Sequence, residues 1–194
     1  MKKAIFTISI ILLTTIIVNA QKSSEGFSKG NSFISGQFAF NSEKTGDLKT
    51  TSFDFSPTVG YFISNNVAIG VQLGVTSNQS KFKSTKLSEE QGFSGGILAR
   101  YYMTPTNKFS IFGSAALGFG STNNKTDSLK TTSFSFGFAP GISYFLSNHF
   151  AIETTIGSLG FSSIKPDTKG ADATTTIDFG LNLTRATFGL VYKF

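Results

Sequence analysis

The sequence predicts an all-β fold: an eight-stranded antiparallel up-and-down transmembrane β-barrel. Three observations carry that expectation. Stretches of about ten residues alternate between bulky apolar and small or polar side chains, the period-2 signature of a strand with two different environments. The connections between these stretches alternate between short and long. The composition, with 22 Phe, 5 Tyr and 20 Gly in 194 residues and no Trp or Cys, joins β-favouring aromatics to the smallest residue, while only 14% of the chain is charged.

At the N-terminus, Lys2 and Lys3 precede an apolar run from Ala4 to Val18, and Val18-Asn19-Ala20 places small or permissive residues where a signal peptidase reads. Residues 1–20 are expected to be a secretory signal peptide cut between Ala20 and Gln21. The run is shorter than the ~20 apolar residues a spanning helix needs. Cleavage removes two lysines and no acid, so the formal charge falls from +6 to +4, too small and too dispersed for a nucleic-acid footprint. Residues 21–30 read as a short periplasmic segment and 31–194 as the barrel.

The first strand sets Ile34, Gly36, Phe38 and Phe40 against Ser35, Gln37, Ala39 and Asn41. The second sets Phe53, Phe55, Pro57, Val59 and Tyr61 against Ser52, Asp54, Ser56, Thr58 and Gly60. In the third, Val67, Ile69, Val71, Leu73 and Val75 oppose Ala68, Gly70, Gln72, Gly74 and Thr76, and in the fourth Phe93, Ile97, Ala99 and Tyr101 oppose Ser94, Gly96, Leu98 and Arg100. The fifth carries Ile111, Ala115, Leu117 and Phe119, with Phe112 out of phase; the sixth carries Phe134, Phe136, Phe138, Pro140, Ile142 and Tyr144. The seventh, residues 150–157, has the weakest pattern, and the eighth runs into the C-terminus through Phe188, Leu190, Tyr192 and Phe194. Short turns are expected at 64–66, 104–108 and 147–149, and longer polar loops at 42–50, 78–91, 121–131 and 158–175. That asymmetry, with an even strand count, is the arrangement of an outer-membrane barrel whose termini are both periplasmic.

A repeat supports the count. Residues 48–55 (LKTTSFDF) match 129–136 (LKTTSFSF) at seven of eight positions, and 57–70 match 140–153 at seven of fourteen. The offset changes from 81 to 83, and a two-residue insertion preserves the facing of every side chain. One copy covers strands two and three, the other six and seven, so a four-strand unit occurs twice.

The apolar face is bulky and the opposite face is made of Gly, Ala and Ser. Eight strands leave an interior only wide enough for side chains or one small ligand, so rows of Phe are expected to point outward, into lipid. A soluble barrel would reverse the faces. Tyr61, Tyr101, Tyr144 and Tyr192 share the apolar face near the short-turn or C-terminal ends of even-numbered strands, an aromatic girdle at the periplasmic interface. Pro57 and Pro140 each remove a ladder donor and are expected at bulges.

Residues 60–64 (GYFIS), 99–102 (ARYY), 140–146 (PGISYFL) and 188–194 (FGLVYKF) resemble the small outer-membrane β-barrel proteins of Gram-negative bacteria, particularly the form common in Bacteroidota. The likeness spans the mature chain. It implies an integral barrel, for most members without a defined activity, and a C-terminal signal ending in Phe194 that the barrel assembly machinery recognises.

Inward charges are the candidates for a site. Arg100 and Glu153 lie about three residues from the periplasmic ends of strands four and seven, which face each other across an eight-stranded barrel, and Asp54 and Arg185 lie higher on strands two and eight. Two charged layers are expected to bridge and plug the lumen, since an unpaired buried charge is costly. Arg185 has the wrong parity relative to residues 188–194 unless a bulge near Thr184 intervenes. His149, the only histidine, reads as a turn residue, and no catalytic, metal-binding or cofactor-binding motif is present. The expectation is a monomeric structural or interaction barrel, not an enzyme, embedded in outer-membrane lipid. A narrow pore for small solutes and a soluble ligand-binding barrel are the alternatives. Lys81, Lys83 and Lys86 in the second long loop read first as part of a solvated loop, with contact to acidic headgroups or saccharide as the alternative.

Overall fold

The computed structural model describes residues 25–180 and 187–194; the cleavage pair Ala20 and Gln21, and Arg185 with the bulge expected beside it, lie outside them. The strands are β1 (Ser32–Thr45), β2 (Leu48–Phe62), β3 (Val67–Phe82), β4 (Thr85–Tyr102), β5 (Phe109–Asn124), β6 (Lys130–Phe145), β7 (Phe150–Thr155), β8 (Ser158–Pro166), β9 (Thr174–Gly180) and β10 (Thr187–Lys193). Each neighbouring pair is antiparallel, from β1–β2 through β5–β6. β6 then pairs with both β7 and β8, β8 pairs with β9, and β10 joins β7 to β1. β7 with β8 forms the seventh stave and β9 with β10 supplies the eighth, so the sheet closes as an eight-strand barrel through the β1–β10 ladder, Phe33↔Lys193 to Phe38↔Phe188, while β9 among the described residues pairs with β8.

The alternation read from the sequence is the alternation of the wall. Phe38, Phe40, Phe53, Val59, Val71, Phe93, Ile97, Phe119 and Phe188 are exposed on the outside, where the only solvent that suits them is hydrocarbon. Ser35, Thr58, Arg100, Ser110, Ser143 and Glu153 are buried inside. The four tyrosines of the expected girdle point outward near the short-turn end, between 38% and 56% exposed.

Four expectations are corrected. The polar segments at 42–50 and 78–91 are not loops: β1 and β2 stay paired up to Thr45↔Leu48, and β3 and β4 up to Phe82↔Thr85. β5–β6 likewise pairs out to Asn123↔Lys130, and β8 occupies most of the first half of the fourth long segment. Ser and Thr side chains suit a solvated ladder, and single left-handed residues turn the first two tips, Gly46 at φ 60° and Lys83 at φ 53°. Second, the seventh stave does not end at Gly157 but continues through β8 to Pro166. The partner sums change by one between Gly141↔Thr155 and Phe138↔Leu159, so a bulge sits around Gly157, whose φ is +74°. Pro140 faces that bulge, its carbonyl accepting from Ile156 N–H at 3.0 Å. Third, Pro57 needs no bulge: the β2–β3 register is the same at Phe55↔Val75 and Thr58↔Gln72, and the ladder merely lapses between them.

The fourth correction concerns the interior. Rings do fit inside, at one end. Phe33, Phe62, Tyr102, Phe112 and Phe145 are all buried on the inward face near the short turns, joined by Phe27 from the segment before β1. Space for them comes from glycines on the same face. Gly60 is the register partner of Phe33, and a Cβ there would come 2.2 Å from its Cζ; Gly141 is the partner of Phe112, and a Cβ there would come 2.4 Å from its Cζ. Phe112, out of phase with its strand, is thus in phase with this layer.

Candidate functional site

The site is the closed end of the lumen. Arg100, two residues before the end of β4, and Glu153 on the seventh stave meet across the interior, with Nη1 donating to Oε2 at 2.7 Å. Both residues are nearly inaccessible, 3% and 2% exposed. Tyr102 OH donates to the other carboxylate oxygen at 3.0 Å and accepts from Arg100 Nη1 at 3.4 Å. The guanidinium carbon lies 5.0 Å from the Phe112 ring centroid and 5.8 Å from that of Phe33, so rings flank the cation as well as closing the space around it. A buried ion pair is tolerable only with such extra partners, because its attraction must repay the desolvation of two charges.

Beneath this pair is the aromatic layer, and beneath that the N-terminal segment. Phe27, 1% exposed, stacks on Phe62 at 4.6 Å and meets Phe145 edge-on at 4.8 Å, with Tyr102 and Phe33 at 5.3 and 5.6 Å. Three ties hold it: Phe27 N–H donates to the Pro105 carbonyl at 2.6 Å, Lys193 Nζ donates to the Gly26 carbonyl at 2.6 Å, and Glu25 lies 3.6 Å from Lys108 Nζ. Gly26 is required here: its φ is +93°, and a Cβ would stand 2.4 Å from the Pro105 carbonyl oxygen.

Above the ion pair, toward the long-strand end, a cavity of about 190 Å³ is lined by Gln37, Gln72, Arg100, Ser114 and Thr155 among others. A second, about 140 Å³, shares Gln72 and Ala116 and is lined by Ser56, Ser94, Ser133 and Ser135. Arg100 Nε and Gln37 Nε2 have no hydrogen-bond partner among the described residues. The lumen is therefore polar above the pair and packed below it.

The structure brings Arg100 and Glu153 together, while the second expected layer rests on Arg185, which lies outside the described residues. Asp54 sits inward between Ala39 and Thr76 with no ion-pair partner among the described residues. Phe194 N–H donates to the Ser32 carbonyl, and its ring meets Tyr192 at 5.0 Å, fixing the C-terminus beside the first strand. His149 hydrogen-bonds the Lys193 carbonyl through Nδ1 at 2.9 Å and stacks on Tyr192, the position of a turn residue packed against the last strand. No group of three or more His, Asp and Glu side chains that could hold a metal occurs among the described residues.

Tyr102, Phe27, Phe33, Phe62 and Phe145 were not singled out from the sequence, although a signal for three of them was there. Tyr61-Phe62, Tyr101-Tyr102 and Tyr144-Phe145 are adjacent aromatic pairs at even-strand ends, and adjacent residues of a strand face opposite ways. One ring of each pair had to point in. Phe27, outside any periodic stretch, left no such signal.

A model of the outer membrane protein beta-barrel domain family matches residues 8–194. Among solved structures, the outer membrane protein OprG from Pseudomonas aeruginosa superposes with a TM-score of 0.57 at 16% identity, covering 88% of this chain and 99% of that one. The N-terminal β-barrel domain of Pseudomonas aeruginosa OprF (TM-score 0.45, 12% identity, 87% and 100% covered) and Neisserial surface protein A (0.47, 16%, 86% and 100%) match with lower scores. Comparison with curated proteins gives no match. A closed eight-strand barrel with an apolar outer wall, matched by the family model over nearly its whole length, sits in the outer membrane of the cell, and the chain belongs to the outer membrane protein β-barrel domain family.

Proposed function

We propose that this protein is a structural or interaction barrel rather than a pore: a monomer, anchored in outer-membrane lipid, that presents its long strand tips outside the cell and is shut at its periplasmic end. One observation carries the reading, the stack of Phe27, the aromatic layer and the Arg100–Glu153 pair that fills the short-turn end of the lumen. A solute entering from the long-strand end meets a polar vestibule with a floor. No step of catalysis is assigned to it, and the C-terminal Phe194 is read as the mark by which the assembly machinery takes up the chain.

Planar-bilayer recording tests this. Purified, refolded protein is expected to give no stable channel openings, while Phe27→Ala combined with Arg100→Ser and Glu153→Ser, which removes two of the three layers, is expected to give small steps. Stable openings from the unmodified protein would establish the narrow-pore reading instead.

A further inference from the structure

The register turns scattered lysines into a row. Lys44 of β1 is the partner of Lys49 of β2, Lys49 is the partner of Lys81 of β3, and Lys81 is the partner of Lys86 of β4. The first three share the outward parity of Phe40, Phe53 and Val75 on their own strands. Lys86 reaches the same face because the β3–β4 register shifts between Ser80 and Lys81, leaving Leu87 as the extra residue. Without that shift Lys81 would face Leu87.

Four ammonium groups on adjacent strands spaced about 4.8 Å apart lie within about 15 Å of one another. Like charges directly opposite on a sheet are destabilising, and the uncharged Ser and Thr that recur in the same tips, such as Thr45, Thr50 and Ser80, would carry no such penalty. Lys86 has a carboxylate at 2.5 Å, Glu89, but among the described residues none lies within ion-pair distance of Lys44, Lys49 or Lys81. Three of the four lysines therefore lack counter-charge of their own, on the outward face of the wall.

Height says where that charge would come from. Lys44 lies four residues beyond Phe40, Lys49 four from Phe53, and Lys81 six beyond Val75. At ~3.3 Å per residue on strands tilted by about 40°, the row stands roughly 10–15 Å above the last lipid-facing apolar side chains. A simple headgroup layer is about 5–7 Å deep, so phosphates at this level belong on a taller headgroup, one with saccharide between the acyl chains and the outer charge. Lysine stems also fold back toward an interface.

We propose that Lys44, Lys49, Lys81 and Lys86 form a docking row for the phosphate groups of an outer-leaflet glycolipid headgroup. The row binds from the outside of the wall, so it works whether or not the lumen conducts.

The test uses the full mature barrel in phosphatidylcholine nanodiscs doped with a bisphosphorylated glycolipid or with its dephosphorylated counterpart. The readout is glycolipid retained per protein after detergent extraction and affinity capture at low salt. Native protein is expected to retain the phosphorylated lipid and to lose it as salt is raised. A Lys44→Thr/Lys49→Thr/Lys81→Thr variant is expected to retain at least about tenfold less, since each lysine near an anionic surface is worth roughly fivefold. Arginine at the same three positions is expected to keep retention, as is Lys130→Thr/Lys165→Thr/Lys169→Thr on the opposite side of the barrel. Heat-dependent gel migration verifies folding, and if the triple variant fails to fold, Lys49→Gln at the centre of the row, expected to retain roughly fivefold less, takes its place. Equal retention by the triple threonine variant, or equal retention of the dephosphorylated lipid, overturns the proposal.

Discussion

Removing one member of the Arg100–Glu153 pair should cost far more than removing both. Glu153→Leu leaves a guanidinium that is 97% buried beside two aromatic rings and deprives Tyr102 OH of its acceptor. Stranding one partner of a buried pair costs about 3–5 kcal/mol, whereas replacing both by apolar residues of similar volume is often neutral. With a denaturant slope of about 2 kcal/mol/M in urea, the single variant should lower the unfolding midpoint by roughly 2 M, and Arg100→Met/Glu153→Leu by no more than about 0.5 M. The assay is equilibrium unfolding in phospholipid vesicles, read by tyrosine fluorescence and by heat-dependent gel migration, for the native protein, both single variants and the double. The coupling energy from that cycle isolates the pair. A midpoint shift below about 0.5 M for Glu153→Leu would refute the reasoning, because it would mean that water entering from the 190 Å³ cavity already hydrates each charge separately.

Two lumen glycines should respond oppositely to the same methyl group. A Cβ on Gly96 would stand 2.2 Å from the Leu117 carbonyl oxygen, whereas on Gly137 its nearest neighbour is 3.7 Å away. Gly96→Ala is therefore expected to cost about 1–3 kcal/mol and Gly137→Ala to fall within about 0.5 kcal/mol of native in the same unfolding assay. Phe27→Ala should lower barrel stability by about 3–5 kcal/mol if the segment stays docked, or by less if it releases. Limited proteolysis distinguishes these, since release exposes residues 25–30 to cleavage while the strands stay resistant.

The barrel was legible because its wall obeys one rule over nearly its whole length. Strands such as β3, with Val67, Ile69, Val71, Leu73 and Val75 on one parity, leave no ambiguity about facing, and the duplicated hairpins at 57–70 and 140–153 fixed the count. The Arg100–Glu153 pairing followed from parity and height alone. What escaped was of two kinds. The tips at 42–50 and 78–91 look like loops because a polar ladder in water has no apolar face to alternate; their strand character is stored in the partner's hydrogen bonds, not in their own pattern. The aromatic layer escaped because facing was assigned from bulk, and bulk reverses where Gly60 and Gly141 open room for Phe33 and Phe112. Nothing local marks a glycine as the space for a ring on the next strand. The lysine row escaped for the same reason, since it exists only once β1 to β4 are in register.

The bond from Lys193 to Gly26 joins residues 167 apart in sequence, and it depends on the last strand lying against the first. Sealing of this end thus requires that the last strand already lies against the first. A half-inserted sheet, with its two edges apart, has neither the Gly26 anchor nor the Val191 wall that Phe27 packs within, so its lumen end stays open and its ends remain accessible. Contacts of such long range form late because the loop-closure entropy must be met first. The closed end therefore doubles as a record of completed assembly: a molecule whose Phe27 is protected is one whose circle of strands has been joined, and protection of that single ring can report maturation of the whole barrel in the membrane.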